Sequence, residues 1–226
     1  MANWFGRMVY HWDFFFLQRY APLLWKGVLV TLAYTAGTIL LGLAIGLLVG
    51  LGRLSRSKIL TIPLVGFIEA FRCTPLLVQI VWFYYALPVA VGITIPAWLA
   101  AGLGLTFYMG AFSAEIFRGG LQSIERGQWQ AARAIGMLPW QVLWRVVLPQ
   151  AARRMLPPFV NQSVLQIKNT SLLSVIAVPD LMYQAQLLVS ETFRPLEIYT
   201  SLGVAYFAML YPLQKLAKRL ERRDDI

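Results

Sequence analysis

Long uncharged runs alternate with short charged ones along this chain. No charged residue occurs between Gly27 and Gly52, and none between Cys73 and Ala114. A transmembrane helix needs about 20 mostly apolar residues, so the first run predicts one span. The second run is too long for one helix and is broken by Pro88, Gly92 and Pro96. It predicts the end of a second span, a short turn and a third span. A fourth span starts near Pro157, since proline suits the first turn of a helix. A fifth precedes the charged tail KLAKRLERRDDI. The expected spans cover residues 27–52, 59–87, 97–117, 157–178 and 198–214 of a transmembrane domain at 27–217. An aromatic interfacial segment at 1–26 precedes them, and a tail at 218–226 follows. The predicted fold is all-α and polytopic, with five transmembrane helices.

Charge assigns the sides. The Arg53–Lys58 loop has three bases and no acid, and Arg118–Arg154 has six arginines against Glu125 alone. Both loops and the basic tail fall on one side of a five-span chain. That side is cytoplasmic by the positive-inside rule, so the N-terminus is outside and the C-terminus inside. The Asp180–Glu197 segment has three acids and one base, and is expected to be an outer loop.

Composition narrows the function. The chain has 226 residues, 58% hydrophobic and only 13% charged, with a mean hydropathy of +0.62. A soluble domain carries about 25% charge. The net charge of +10 is spread between apolar runs, which points to cationic membrane loops and not to a nucleic-acid partner. One cysteine, Cys73, and one histidine, His11, offer no disulfide framework and no metal centre. No P-loop and no catalytic triad can be assembled, so no enzymatic role is expected.

Three ionisable residues inside spans are taken as candidates, since such groups are costly there and mark function by default. Glu69 and Arg72 stand three apart and can pair along one helix face; Lys168 lies in the fourth span. Two cations against one acid leave room for an anionic group. Gly42, Gly46 and Gly50 form a small-xxx-small stripe, read as packing within the chain. The 118–154 loop reads as helix, break, helix, break. Gly136 stops the first helix, Pro139 starts the second and Pro149 ends it. Ala131 and Ala132 leave a smooth face for docking.

That loop resembles the EAA loop of ABC-transporter permease subunits. The match is Gln130-Ala131-Ala132, then Gly136, then Leu148-Pro149, with Gln130 where the family usually has glutamate. RCTPLLVQ (72–79), AEIFRGGLQSI (114–124) and IKNTSLLSVI (167–176) are similar to stretches of the polar amino acid permeases. The resemblance implies the type I ABC importer permease fold in a bacterial cytoplasmic (inner) membrane. It implies a permease dimer of identical or related chains, embedded in lipid. Two ATPase subunits would hold the ATP and Mg, leaving this chain without a cofactor, and a periplasmic or lipoprotein binding protein would deliver the amino acid. Gln130, Ala131, Ala132 and Gly136 would contact the ATPase. Arg72 and Lys168, with Thr74 nearby and Glu69 balancing charge, would meet the substrate α-carboxylate. Asn161 and Gln162 would read the rest. Relatives for cationic substrates often carry glutamate where Gln162 stands, so neutral polar or acidic amino acids are expected.

Two other classes compete. A channel or secondary transporter not using ATP would show internal repeats or ion-coupling carboxylates. A membrane enzyme would need His, Asp or Cys clustered at one depth. The sequence has no such repeat and no such cluster, and Glu69 is the one clear acid at that depth.

Overall fold

The computed structural model describes residues 10–55 and 57–224, and is helical with no strand among them. The first nine residues of the interfacial segment, Arg56 and the last two residues of the tail lie outside the described residues. We number the helices α1 (Leu17–Gly52), α2 (Lys58–Cys73), α3 (Leu76–Val91), α4 (Ala97–Gln122), α5 (Arg126–Ala134), α6 (Pro139–Ile176), α7 (Leu181–Thr192) and α8 (Pro195–Asp224).

α1 has 36 residues, a length of about 54 Å at 1.5 Å per residue. It begins inside the expected interfacial segment, so residues 17–26 are helical. Its buried face is small: Gly27, Thr31, Thr35, Thr38, Gly42, Gly46, Val49 and Gly50. Spacings of three and four put them on one stripe. That stripe lies on α4, so closely that a Cβ on Gly46 would sit 2.4 Å from Ser113 Cβ. The glycine stripe is intramolecular packing, as expected.

α1 and α4 are each long and apolar enough to cross a membrane alone. The other candidates are bent pairs, α2–α3 at 109° and α6–α7 at 47°, which bring the number of spans up to four. The second span is therefore not one straight helix. Pro75 forces Thr74 into the extended region (ψ 141°) and ends α2. The carbonyls left free at the break are taken by Gln79, whose Nε2 donates to Phe71 O (2.9 Å), Thr74 O (3.0 Å) and Thr74 Oγ1 (2.9 Å).

Pro88 and Pro149 do not end helices. Each follows a π-helical turn, at Trp82–Ala86 and Val142–Val147. The turn shifts the hydrogen-bond register, so the missing proline N–H leaves no gap. α6 consequently runs through Pro149, Pro157 and Pro158 without interruption. The Asp180–Glu197 stretch is also not a loop but is mostly α7. Its charges sit at helix ends: Asp180 Oδ1 caps α7 by accepting from Tyr183 N at 2.9 Å. Glu197, fully buried at the start of α8, accepts from Tyr10 OH and from Asp13 N, tying the N-terminal segment to the α7–α8 turn.

One polar knot joins three helices. Gln166 of α6 is fully buried; its Nε2 donates to Thr38 Oγ1 of α1 (2.9 Å) and to Leu105 O of α4 (3.0 Å). At the Arg53 end of the bundle a separate apolar core forms from Ile124, Ala132, Val142, Val147, Ala151 and Met155. It fastens α5 to α4 and α6.

Candidate translocation and coupling sites

Arg72 lies in the last turn of α2, and the structure turns it toward α4. Its Nη1 lies 4.0 Å from Glu115 Oε2, and its guanidinium sits 5.4 Å from the Phe112 ring centroid. The expected Glu69–Arg72 pair is thus replaced by Arg72–Glu115. Glu69 instead accepts a hydrogen bond from Cys73 Sγ at 3.3 Å, facing the exterior. The reason is geometric: the α2–α3 bend swings the last turn of α2 against α4. Glu115 also bonds Arg53, just past α1, and Arg118 Nη2 at 2.7 Å. One carboxylate therefore serves three guanidinium groups from three segments.

Beside this cluster is a cavity of about 350 Å³, walled by Arg72, Phe112 and Glu115 on one side and by Arg154, Met155 and Pro158 of α6 on the other. Arg154 donates to Ser123 O. Thr74 lies apart from it, in a second cavity of about 310 Å³ lined by Phe71, Gln79 and Trp82. Its hydroxyl donates to Ala70 O at 2.6 Å while accepting from Gln79.

α6 has two unlike faces. Gln162 and Gln166, one turn apart, are buried, and the Gln162 Nε2 is a buried donor without a partner. Arg154, Pro158, Asn161, Leu165 and Lys168 are all exposed. Their spacing of four, three, four and three makes them one stripe. Asn161 and Lys168 thus share a face, whereas Gln162 is turned from it into the bundle. Two cations, Arg154 and Lys168, stand on this exposed face.

α5 packs at the Arg53 end through Ala132. Gly136 has φ +83°, and Met137 N donates to Ala132 O at 3.2 Å, the closure of a helix that ends on a left-handed residue. Gln130, Ala131 and Gly136 are exposed, while Ala132 is buried in the local core. Ala132 thus anchors α5 and is not part of its outer surface, correcting the expectation of a two-alanine docking face. Exposed Ile135, Leu138, Trp140 and Trp144 extend that surface. Sequence reasoning missed them, along with Glu115, Gln79 and Gln166. The apolar run 135–144 beside Gly136 was the one visible signal.

Residues 39–224 match the family described as binding-protein-dependent transport system inner membrane component. The chain belongs to that family. Among its relatives, the glutamine transport system permease protein GlnP of Escherichia coli (strain K12) is 40% identical over 206 residues, covering 91% of this chain and 94% of that protein. The crystal structure of an amino acid ABC transporter with histidines superposes with a TM-score of 0.88 at 34% identity, covering 95% of this chain and 100% of that one. The inward-facing MetNI methionine ABC transporter, in its CY5 native crystal form, superposes with a TM-score of 0.73 at 25% identity, covering 91% and 98%. As an inner membrane component of a binding-protein-dependent system, the chain is a transport subunit. Its bent α2–α3 pair and anchored α5 are read in that light.

Proposed function

We propose that this permease carries a neutral polar amino acid, with glutamine as the first candidate, inward through an ATP-driven importer. The exposed α6 stripe carries this reading. A membrane helix that turns Arg154, Asn161 and Lys168 outward needs a second permease chain, identical or homologous, to enclose an aqueous path with it. The glutamine permease relative supports the substrate. In this reading α8 is the fifth span, the Arg53 end is cytoplasmic and the N-terminus lies outside. Two ATPase subunits, holding ATP and Mg, grip Gln130, Ala131 and Gly136 of α5, while a binding protein delivers substrate from outside.

Within the path, Arg72 and Lys168 receive the α-carboxylate. Charge-assisted hydrogen bonds of this kind contribute about 1.5–3 kcal/mol. Thr74, two residues from Arg72, holds the α2–α3 break beside it, and Glu69, one turn back on α2, faces the exterior. Asn161 reads the side chain from the exposed stripe, and Gln162, whose buried Nε2 has no partner, does so once α6 turns it toward the path. An amide offers a donor and an acceptor but no charge, so cationic amino acids lose a pairing. A channel or ATP-independent transporter is the weaker reading, because a rigidly anchored α5 has no task in it.

The test is transport by wild type and Gln162→Glu with one broad-specificity binding protein. Glutamine ahead of arginine in the wild type, and a gain for arginine in Gln162→Glu, are expected. Arginine moving best in the wild type, or an unchanged order in the variant, would refute the role of Gln162.

A further inference from the structure

The Arg72–Glu115 contact has no place in substrate recognition as described so far, yet it occupies the group proposed to bind substrate. Three guanidinium groups converge on Glu115, and they are held unequally. Arg53 and Arg118 bond the carboxylate directly, with side chains 20% and 32% exposed; Arg72 stands at 4.0 Å and is 37% exposed. Arg72 is thus the loosest partner and the one that faces the cavity. Phe112 supports its guanidinium from the side. Arg154 adds another cation on the opposite wall. The cluster is short of anions, and a second carboxylate entering the cavity would supply one.

We propose that Glu115 is an internal competitor for the substrate carboxylate. In the empty permease it neutralises Arg72; the arriving amino acid takes Arg72 from it, leaving Glu115 to Arg53 and Arg118. This inference rests on the reading of Arg72 as a carboxylate receptor. Apparent affinity falls by the fraction of receptor that is free to bind. An internal counter-ion therefore keeps the site weak without removing its charge, and it recaptures Arg72 as the substrate leaves. Glu115 becomes an affinity-setting residue that need never touch the substrate. Arg53 and Arg118 hold it in place, so its reach toward Arg72 is set by α1 and α4 and not by the substrate.

The test is equilibrium binding of radiolabelled L-glutamine to the full permease–ATPase complex in lipid nanodiscs, with neither nucleotide nor binding protein. L-glutamate and L-arginine are run as comparison probes. Glu115→Gln is expected to tighten binding by about two- to fivefold, the scale of a partly exposed ion pair, and to slow release at saturating substrate. Glu115→Asp withdraws the carboxylate by one methylene while keeping its charge. It should tighten binding by less, and it decides the matter if the glutamine variant does not assemble. Arg72→Gln should abolish binding with or without Glu115→Gln. Weaker or unchanged binding in the Glu115 variants, with loss in Arg72→Gln, would overturn the competition and leave the receptor standing. Wild-type affinity in Arg72→Gln, or no amino acid bound by the wild type, would overturn the receptor reading itself.

Discussion

Gln166 Nε2 donates to Thr38 Oγ1 at 2.9 Å, joining residues 128 apart in the chain. Thr38 donates in turn to Tyr34 O at 2.7 Å, and Gln166 also reaches Leu105 O. Interhelical hydrogen bonds in membrane bundles are worth about 0.6 kcal/mol on average and about 1.7 kcal/mol at most. Gln166→Leu is therefore expected to lower the thermal midpoint of the purified complex modestly. Gln166→Glu should lower it more, because the carboxylate would meet the Leu105 carbonyl oxygen. Size-exclusion retention after heating checks both. Equal midpoints in all three proteins would show that the knot does not hold the bundle.

Gly46 and Gly37 lie on the same helix but meet different surroundings. A Cβ at Gly46 would fall 2.4 Å from Ser113 Cβ and 2.9 Å from Ala114 N, whereas one at Gly37 would meet nothing within 4 Å. Gly46→Val should separate α1 from α4 and cut the yield of folded protein. Gly37→Ala should be neutral or stabilising, by about 0.5–1 kcal/mol from helix propensity. Monodisperse yield in detergent reads the contrast.

Gly136 is constrained by its backbone and not by crowding. Its φ is +83°, yet a Cβ there would meet nothing within 4 Å. A left-handed non-glycine residue costs about 1–2 kcal/mol. Gly136→Val should therefore reorient the end of α5, lowering substrate-stimulated ATPase activity severalfold while membrane insertion persists. Gly127→Ala, in open space on the same helix, should keep its stimulation. Normal stimulation in Gly136→Val would remove α5 from coupling.

Gln79 satisfies three acceptors at the α2–α3 break. Gln79→Leu leaves the Phe71 and Thr74 carbonyls without that donor, at about 0.5–1.5 kcal/mol for each part-buried hydrogen bond lost. Loosening of the bend is expected, seen as faster labelling of Cys73, which lies at the break and is exposed. An unchanged labelling rate would mean that Pro75 alone holds the angle.

Much of this fold was legible in patterns that have a single physical cause. Charge gaps marked α1 and α4, and the four-residue glycine spacing marked the α1–α4 seam. Gly136 marked the end of α5, because its left-handed backbone favours that residue. What was hidden depended on partners distant in sequence. Glu115 passed without notice, because nothing in its sequence neighbours pointed to Arg53 or Arg72. Gln79 and Gln166 are ordinary amides until a helix break or a third helix gives them acceptors. Pro88 and Pro149 read as helix stops because a π turn has no composition of its own. The acids of Asp180–Glu197 read as a loop because helix-end charges and loop charges look alike in one dimension. At the candidate site, Arg72 was visible as an intramembrane cation, but its direction was set by the bend at Pro75.

The most direct measurement is uptake of L-glutamine into proteoliposomes holding the permease and its ATPase, with the binding protein outside and ATP inside. Accumulation above the external concentration is expected only when ATP and binding protein are both present. Arginine should enter at least about tenfold more slowly, the scale set by losing one charge-assisted hydrogen bond. Accumulation that persists without ATP, or without the binding protein, would contradict the assignment of this chain to an ATP-driven import pathway.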